Sequence, residues 1–179
     1  MSANYTVKFL LVIMVGLMSS FLLKAQDGPH RNLTPYAKAT GKIGDASIVI
    51  DYSSPFVKGR KIFGGLLPYG KLWRAGANEA TIFQTDKDLT IDGKKLPAGK
   101  YSFFATPGET EWTIFFNSET GQYGSKDGGD TNMDPAKTVM SFTVKPKKRS
   151  DLKEKMEYTI TNNGFSLQWE YTNVFIKAK

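Results

Sequence analysis

The stretch "EATIFQTDKDLTIDGKKLPAGKYSFFATPGETEWTIFFNSE", from Glu79 to Glu119, decides the fold. Short runs rich in β-branched and aromatic residues alternate with turn chemistry. Asp92-Gly93 suits a tight hairpin turn, and Pro97-Ala98-Gly99 and Pro107-Gly108 mark further reversals. The spacing predicts strands near 79–84, 87–91, 100–106 and 111–117. Successive side chains on a strand point to opposite faces. The core-facing sets are therefore Tyr101 with Phe103, and Trp112 with Ile114 and Phe116.

The same alternation continues outward. Upstream, "ASIVIDYSSP" sets Ile48, Ile50 and Tyr52 on one face, with Ser47, Val49 and Asp51 on the other, and Pro55 ends the run. Downstream, "TVMSFTV", "MEYTITN" and "FSLQWEY" read as strands, the last two joined at Asn162-Asn163-Gly164. No stretch shows a sustained helical period, and nothing repeats at a fixed spacing. Roughly seven to nine short strands predict an all-β chain, an antiparallel β-sandwich that is jelly-roll-like. Twelve Phe, eight Tyr and three Trp supply its core.

The N-terminus carries an address. Lys8 precedes the apolar run Phe9–Leu23, which falls short of the about 20 residues of a membrane span, and Ala25 offers a small residue for cleavage. Residues 1–25 read as a signal peptide, 26–41 as a flexible leader joining the domain near Tyr36, and 42–179 as the β-sandwich domain. The expected localisation is extracytoplasmic, periplasmic or secreted, with no stable membrane anchor after cleavage.

Composition removes several chemistries. The chain has no cysteine, which excludes disulfides, thiolate metal sites, a Cys nucleophile and a lipid-modified cysteine. The one histidine, His30, lies in the leader, so Ser-His catalysis and a three-His metal site are not expected in the domain. A net charge of +7 fits a solvated basic exterior or an anionic partner surface. "KPKKRSDLKEK", Lys145 to Lys155, reads as an exposed basic connection.

Two motif lookalikes fail on detail. Gly65, Gly70 and Lys71 match the start of a phosphate loop, but Leu72 stands where Ser or Thr should hold magnesium, and Pro68 removes a backbone donor. "DTNMDP" alternates Asp130, Asn132 and Asp134 as calcium loops do. Pro135, however, replaces the required Gly, and Ser141 replaces the closing Glu. The reading is a solvated loop, with no metal and no cofactor.

The segment Tyr52–Asn78 has no acidic residue and is bounded by Asp51 and Glu79. It interleaves Lys58, Arg60, Lys61, Lys71 and Arg74 with Tyr52, Phe56, Phe63, Tyr69 and Trp73. Such a mixture can bind single-stranded nucleic acid. An exported protein instead directs it to carbohydrate or a small anion, because flat rings stack and Arg and Asn hydrogen-bond. The structural alternative is a long connection across a sandwich, turned by glycines, in which Arg74 pairs with Glu79 or Asp51.

The words "DYSSPFVKGRKIFGGLLPYGKLWRAGANEATIF", "LTIDGKKLPAGKYSFFATPG", "EWTIFFN" and "LQWEYTNV" occur in this order over about Lys42 to Ile176. In them the chain resembles the bacterial secreted family catalogued as domain of unknown function 2911. The resemblance implies a secreted β-domain and carries no established activity. Its recurrent positions correspond to Pro55, Gly59, Arg60, Gly64 or Gly65, Pro68, Tyr69, Gly70, Trp73, Gly76, Ala77 and Asn78. Ser54 stands where Arg is common in the family, and Tyr123 where Trp is common.

The resulting expectation is a noncatalytic domain binding a small polar or sugar-like ligand through Arg60, Tyr69, Trp73, Arg74, Asn78 and Glu79. Trp73 and Tyr69 would stack, and Arg60, Arg74 and Asn78 would make polar contacts. One alternative is a carboxylate-dependent glycan hydrolase using Asp51, Glu79 or Glu170, with two acids about 5–9 Å apart across a cleft. Another is a structural envelope protein with no small ligand.

Overall fold

The computed structural model describes residues 34–124 and 131–179. The signal-peptide residues, His30 and Asp130 lie outside them. Ten strands follow in order: β1 Tyr36–Ile43, β2 Ala46–Ser53, β3 Ala77–Thr85, β4 Leu89–Ile91, β5 Lys94–Leu96, β6 Gly99–Thr106, β7 Trp112–Asn117, β8 Thr138–Val144, β9 Lys147–Thr161 and β10 Gly164–Lys177. A 3₁₀ turn at Pro135–Lys137 is the helical element among the described residues.

Six strands form one antiparallel sheet in the order β1-β2-β3-β6-β7-β8. The order is a meander from which only the β4–β5 hairpin is taken out, simpler than the crossed Greek keys of a jelly roll. β9 and β10 pair as a long antiparallel hairpin, and its Met156, Tyr158, Phe165, Leu167 and Trp169 join the same core as the sheet. The result is the β-sandwich expected from the sequence. Ile48, Ile50, Tyr52, Tyr101, Phe103, Trp112, Ile114 and Phe116 are all buried, as the alternation predicts.

One boundary differs from expectation. The stretch 26–41 was expected to be a flexible leader, but from Tyr36 onward it is β1, paired with β2 from Tyr36↔Ser53 to Ile43↔Ala46. The partly buried Ala37 and Ala39 pack against the core. β9 likewise begins at Lys147, inside the basic run expected to be a connection, and is largely exposed before Met156.

The acid-free connection between β2 and β3 is built into the sheet. Trp73 N donates to the Ala105 carbonyl oxygen at 2.7 Å, and Ala105 N returns a bond to Trp73 O at 2.9 Å. Gly70 N donates to Pro107 O at 2.8 Å. The connection thus takes a strand's place beside the end of β6, where β3 pairs only from Thr81 onward. It then reverses through Ala75 and Gly76 into β3. The β2–β3 register shifts between Asp51 and Ser53, and Asn78 sits in this irregular region with a φ of 59°.

Candidate ligand site

The reversal after Trp73 is held from inside. Ala75 has a φ of 52°, a conformation an L residue keeps only when its surroundings enforce it. Its carbonyl oxygen accepts from Thr81 Oγ1 at 3.0 Å and from the Tyr158 hydroxyl at 2.8 Å, both buried. Trp73 Nε1 donates to the Gly76 carbonyl oxygen at 2.9 Å. Tyr52 stacks edge-on to Tyr158 with ring centroids 4.8 Å apart, and its hydroxyl oxygen accepts from Tyr158 N at 3.3 Å. Burial pushes the Tyr158 hydroxyl well above its ordinary pKa, so it stays a donor.

Trp73 is therefore a core residue, 6% exposed, and not an open stacking platform. Its indole lies 6.0 Å from that of Trp169 in a stacked arrangement, 6.2 Å from Phe63 and 6.3 Å from Trp112. Aromatic pairs of this kind add about 0.5–1.5 kcal/mol beyond the area they bury.

A groove of about 440 Å³ opens beside this cluster, between the Leu66–Pro68 turn, the stretch Lys71–Arg74, and Thr131. That volume matches a small polar molecule. Thr131 Oγ1 donates to the Leu72 carbonyl oxygen at 2.6 Å and ties the two walls together. Arg74 makes no ion pair with a described residue, and its buried Nε has no hydrogen-bond partner. Burial lowers the Arg74 pKa, partly offset by Tyr123 and Glu79. Glu79 is thus an electrostatic neighbour of Arg74. The paired arrangement expected from the sequence is absent among the described residues. Asp51, the other expected partner, pairs with Lys38 Nζ at 3.0 Å and accepts a short hydrogen bond from the Tyr36 hydroxyl.

The six expected ligand residues are dispersed. Only Trp73 and Arg74 line the groove. Arg60 turns its guanidinium back on its own loop, with Nε donating to Val57 O at 3.0 Å and Nη2 to Phe56 O at 2.7 Å. The Tyr69 ring covers Gly64, close enough that a β-carbon there would clash. Asn78 Nδ2 donates to Ser53 Oγ at 3.2 Å and to Thr34 O at 3.5 Å, closing the β2–β3 irregularity. Glu79 lines a separate groove of about 360 Å³ together with Asp51, Tyr36 and Lys100. The sequence reading missed Leu66, Leu67, Leu72 and Thr131 as wall residues. Lys71 was visible as a cation of the acid-free segment, whereas a single threonine after a glycine-rich loop carries no signal.

The carboxylates of the hydrolase alternative separate in the same way. Asp51 and Glu79 share the second groove. Glu170 is elsewhere: its Oε1 accepts from Ile62 N at 3.2 Å, anchoring the connection to β10. Among the described residues no three His, Asp or Glu side chains gather closely enough to hold a metal ion. Asp134 instead caps the 3₁₀ turn, its side chain accepting from Ala136 N at 2.9 Å.

No curated protein and no solved structure matches the chain. The family model described as "Protein of unknown function (DUF2911)" matches residues 34–178, from just before β1 to the last residue but one, and the chain belongs to that family.

Proposed function

We propose that this chain is a noncatalytic extracytoplasmic domain that binds a small polar or sugar-like molecule in the groove between Leu66 and Arg74. The observation that carries the reading is Arg74: a half-buried guanidinium on a groove wall, with an unpartnered Nε and no ion pair to a described residue. Export is supported by Lys8, the apolar run Phe9–Leu23 and Ala25, which fit cleavage near Gln26. A glycan array and a thermal-shift screen of sugars and sugar acids test the binding. Hits that Arg74→Gln and Leu72→Asp both abolish support it. Hits indifferent to both variants, or no hits, count against it. Mass spectrometry of the protein from its native cell tests export, and a full-length mass in the membrane fraction contradicts it.

The hydrolase reading draws on a different observation, the shared groove of Asp51 and Glu79. Against it, Asp51 is already engaged by Lys38 and Tyr36. Glycan turnover that Asp51→Asn and Glu79→Gln each eliminate would favour the enzyme over the binding module.

A further inference from the structure

We propose that the ligand carries an oxyanion, a carboxylate or a phosphate, and that Arg74 receives it through its two Nη nitrogens. The inference rests on the reading of the groove just given and narrows its ligand class.

Three observations support it. The first is the orphan donor. Arg74 Nε is buried without a hydrogen-bond partner, so the charge of the guanidinium is left to be met through the Nη nitrogens at the groove wall. The second is preorganisation. Gly124 lies against the stem of Arg74, such that any β-carbon at position 124 would overlap Arg74 Cδ. The Gly124 backbone is itself fixed, with its N–H donating to Asn78 O at 3.1 Å and its carbonyl oxygen accepting from Asn132 N at 3.2 Å. On the other side the Arg74 carbonyl oxygen accepts from Thr81 N at 3.2 Å. A guanidinium held this way loses little freedom when it meets its ligand, and its planar fork matches the two oxygens of a carboxylate or phosphate.

The third is charge. Among the described residues the groove is lined by Lys71 and Arg74 with no carboxylate, while Leu66, Leu67, Leu72 and Trp73 form its apolar walls. Apolar walls lower the local dielectric and strengthen an ion pair formed there. A volume of about 440 Å³ leaves room for a polar body of monosaccharide size behind the anion.

The test is an NMR titration of the isotope-labelled protein with four probes: glucose, glucuronate, glucose 6-phosphate and inorganic phosphate. The Arg74 Nε–H resonance, assigned by its loss in Arg74→Lys, and the Thr131 amide report on the groove. Saturable shifts with glucuronate or glucose 6-phosphate, absent with glucose and weakened by added salt, are expected. Arg74→Lys should weaken binding about tenfold, because it replaces the fork by a point charge, and Lys71→Gln should weaken it less. Preference between glucuronate and glucose 6-phosphate identifies which oxyanion is read.

Glucose shifting the groove as strongly as glucuronate overturns the oxyanion while leaving the sugar-binding reading intact. Inorganic phosphate binding as tightly as the phosphorylated sugar supports the oxyanion and overturns the sugar-like body. Silence from all four probes overturns the oxyanion, and the groove reading then stands or falls on the glycan array. A large drop in the unfolding temperature of Arg74→Ala, as removal of a partner from a buried ion pair produces, would make Arg74 a structural residue and overturn the inference. Circular dichroism of Arg74→Lys confirms that the variant is folded before it is titrated.

Discussion

The Tyr158 hydroxyl donates to the Ala75 carbonyl oxygen at 2.8 Å, joining β9 to the reversal that leads into β3 across 83 positions of sequence. Thr81 Oγ1 donates to the same oxygen at 3.0 Å. Two donors on one acceptor make a specific prediction. Tyr158→Phe or Thr81→Val alone should cost about 1 kcal/mol, because the carbonyl keeps one partner. The double variant strands a buried acceptor and should cost more than the sum. Denaturant unfolding of the four proteins gives the coupling, and strict additivity would mean that the two bonds do not share a fate.

Gly76 has a different constraint. A β-carbon there would lie 2.7 Å from Thr81 Oγ1 and 3.3 Å from the Ser53 carbonyl oxygen. Gly76→Ala should therefore destabilise by about 1–3 kcal/mol through overpacking. Combining it with Thr81→Ala makes room and should recover part of the loss. Thermal unfolding of the single and double variants checks this, and a neutral Gly76→Ala would refute the close approach.

Trp73, Trp112 and Trp169 surround Phe63, whose centroid lies 6.2, 4.8 and 6.0 Å from theirs respectively. All three indoles are buried, so the native fluorescence should be that of shielded tryptophan and should shift to longer wavelength on unfolding. Trp73→Ala should cost about 3–5 kcal/mol. A loss below about 1 kcal/mol would argue that the Trp73 indole is mobile and free to stack on a ligand.

Tyr36 supplies a pH test. Its hydrogen bond to Asp51, with smaller help from burial and the Asp51 charge, raises its pKa from 10.0 to about 12. The neutral phenol is thus favoured by folding. The linked stability is fully present below pH 10, and is lost as pH rises through about 12. The difference in phenolate absorbance between the wild type and Tyr36→Phe isolates this group. Asp51→Ala should return its titration towards 10. An unshifted titration would show that the Tyr36–Asp51 bond does not persist in solution.

Much of this architecture was legible because strand alternation is a one-dimensional signal. Trp112, Ile114 and Phe116 declare a buried face without reference to anything distant. β1 was hidden because its sequence, YAKATGKI, is small rather than apolar. Gly41 and Ala39 look like leader residues, yet a β-carbon at 41 would come within 2.9 Å of Ile160, so this strand is small because β9 passes close to it. That omission propagated. With β1 read as flexible, Lys38 and Tyr36 were unavailable as partners for Asp51, which stood beside Glu79 as a candidate partner of Arg74. The site was harder still. Aromatic residues within a basic stretch have the same composition whether they stack on a ligand or, like Trp73, turn inward, and only the Ala105 pairing decides which.

The shared use of this stretch bears on how the family can evolve. Trp73, Ala75, Gly76 and Asn78 hold the β2–β3 junction through core contacts and the bonds they accept and donate, while Lys71, Leu72 and Thr131 face the groove. If the groove holds the proposed ligand, selection on the first set acts through folding and on the second through binding. Relatives that have diverged in ligand should therefore still spell W-x-A-G-x-N, and sequence identity there is no evidence of a common ligand. Substitutions that alternate between cationic and neutral residues at 71 and 74 would instead mark where specificity has changed hands.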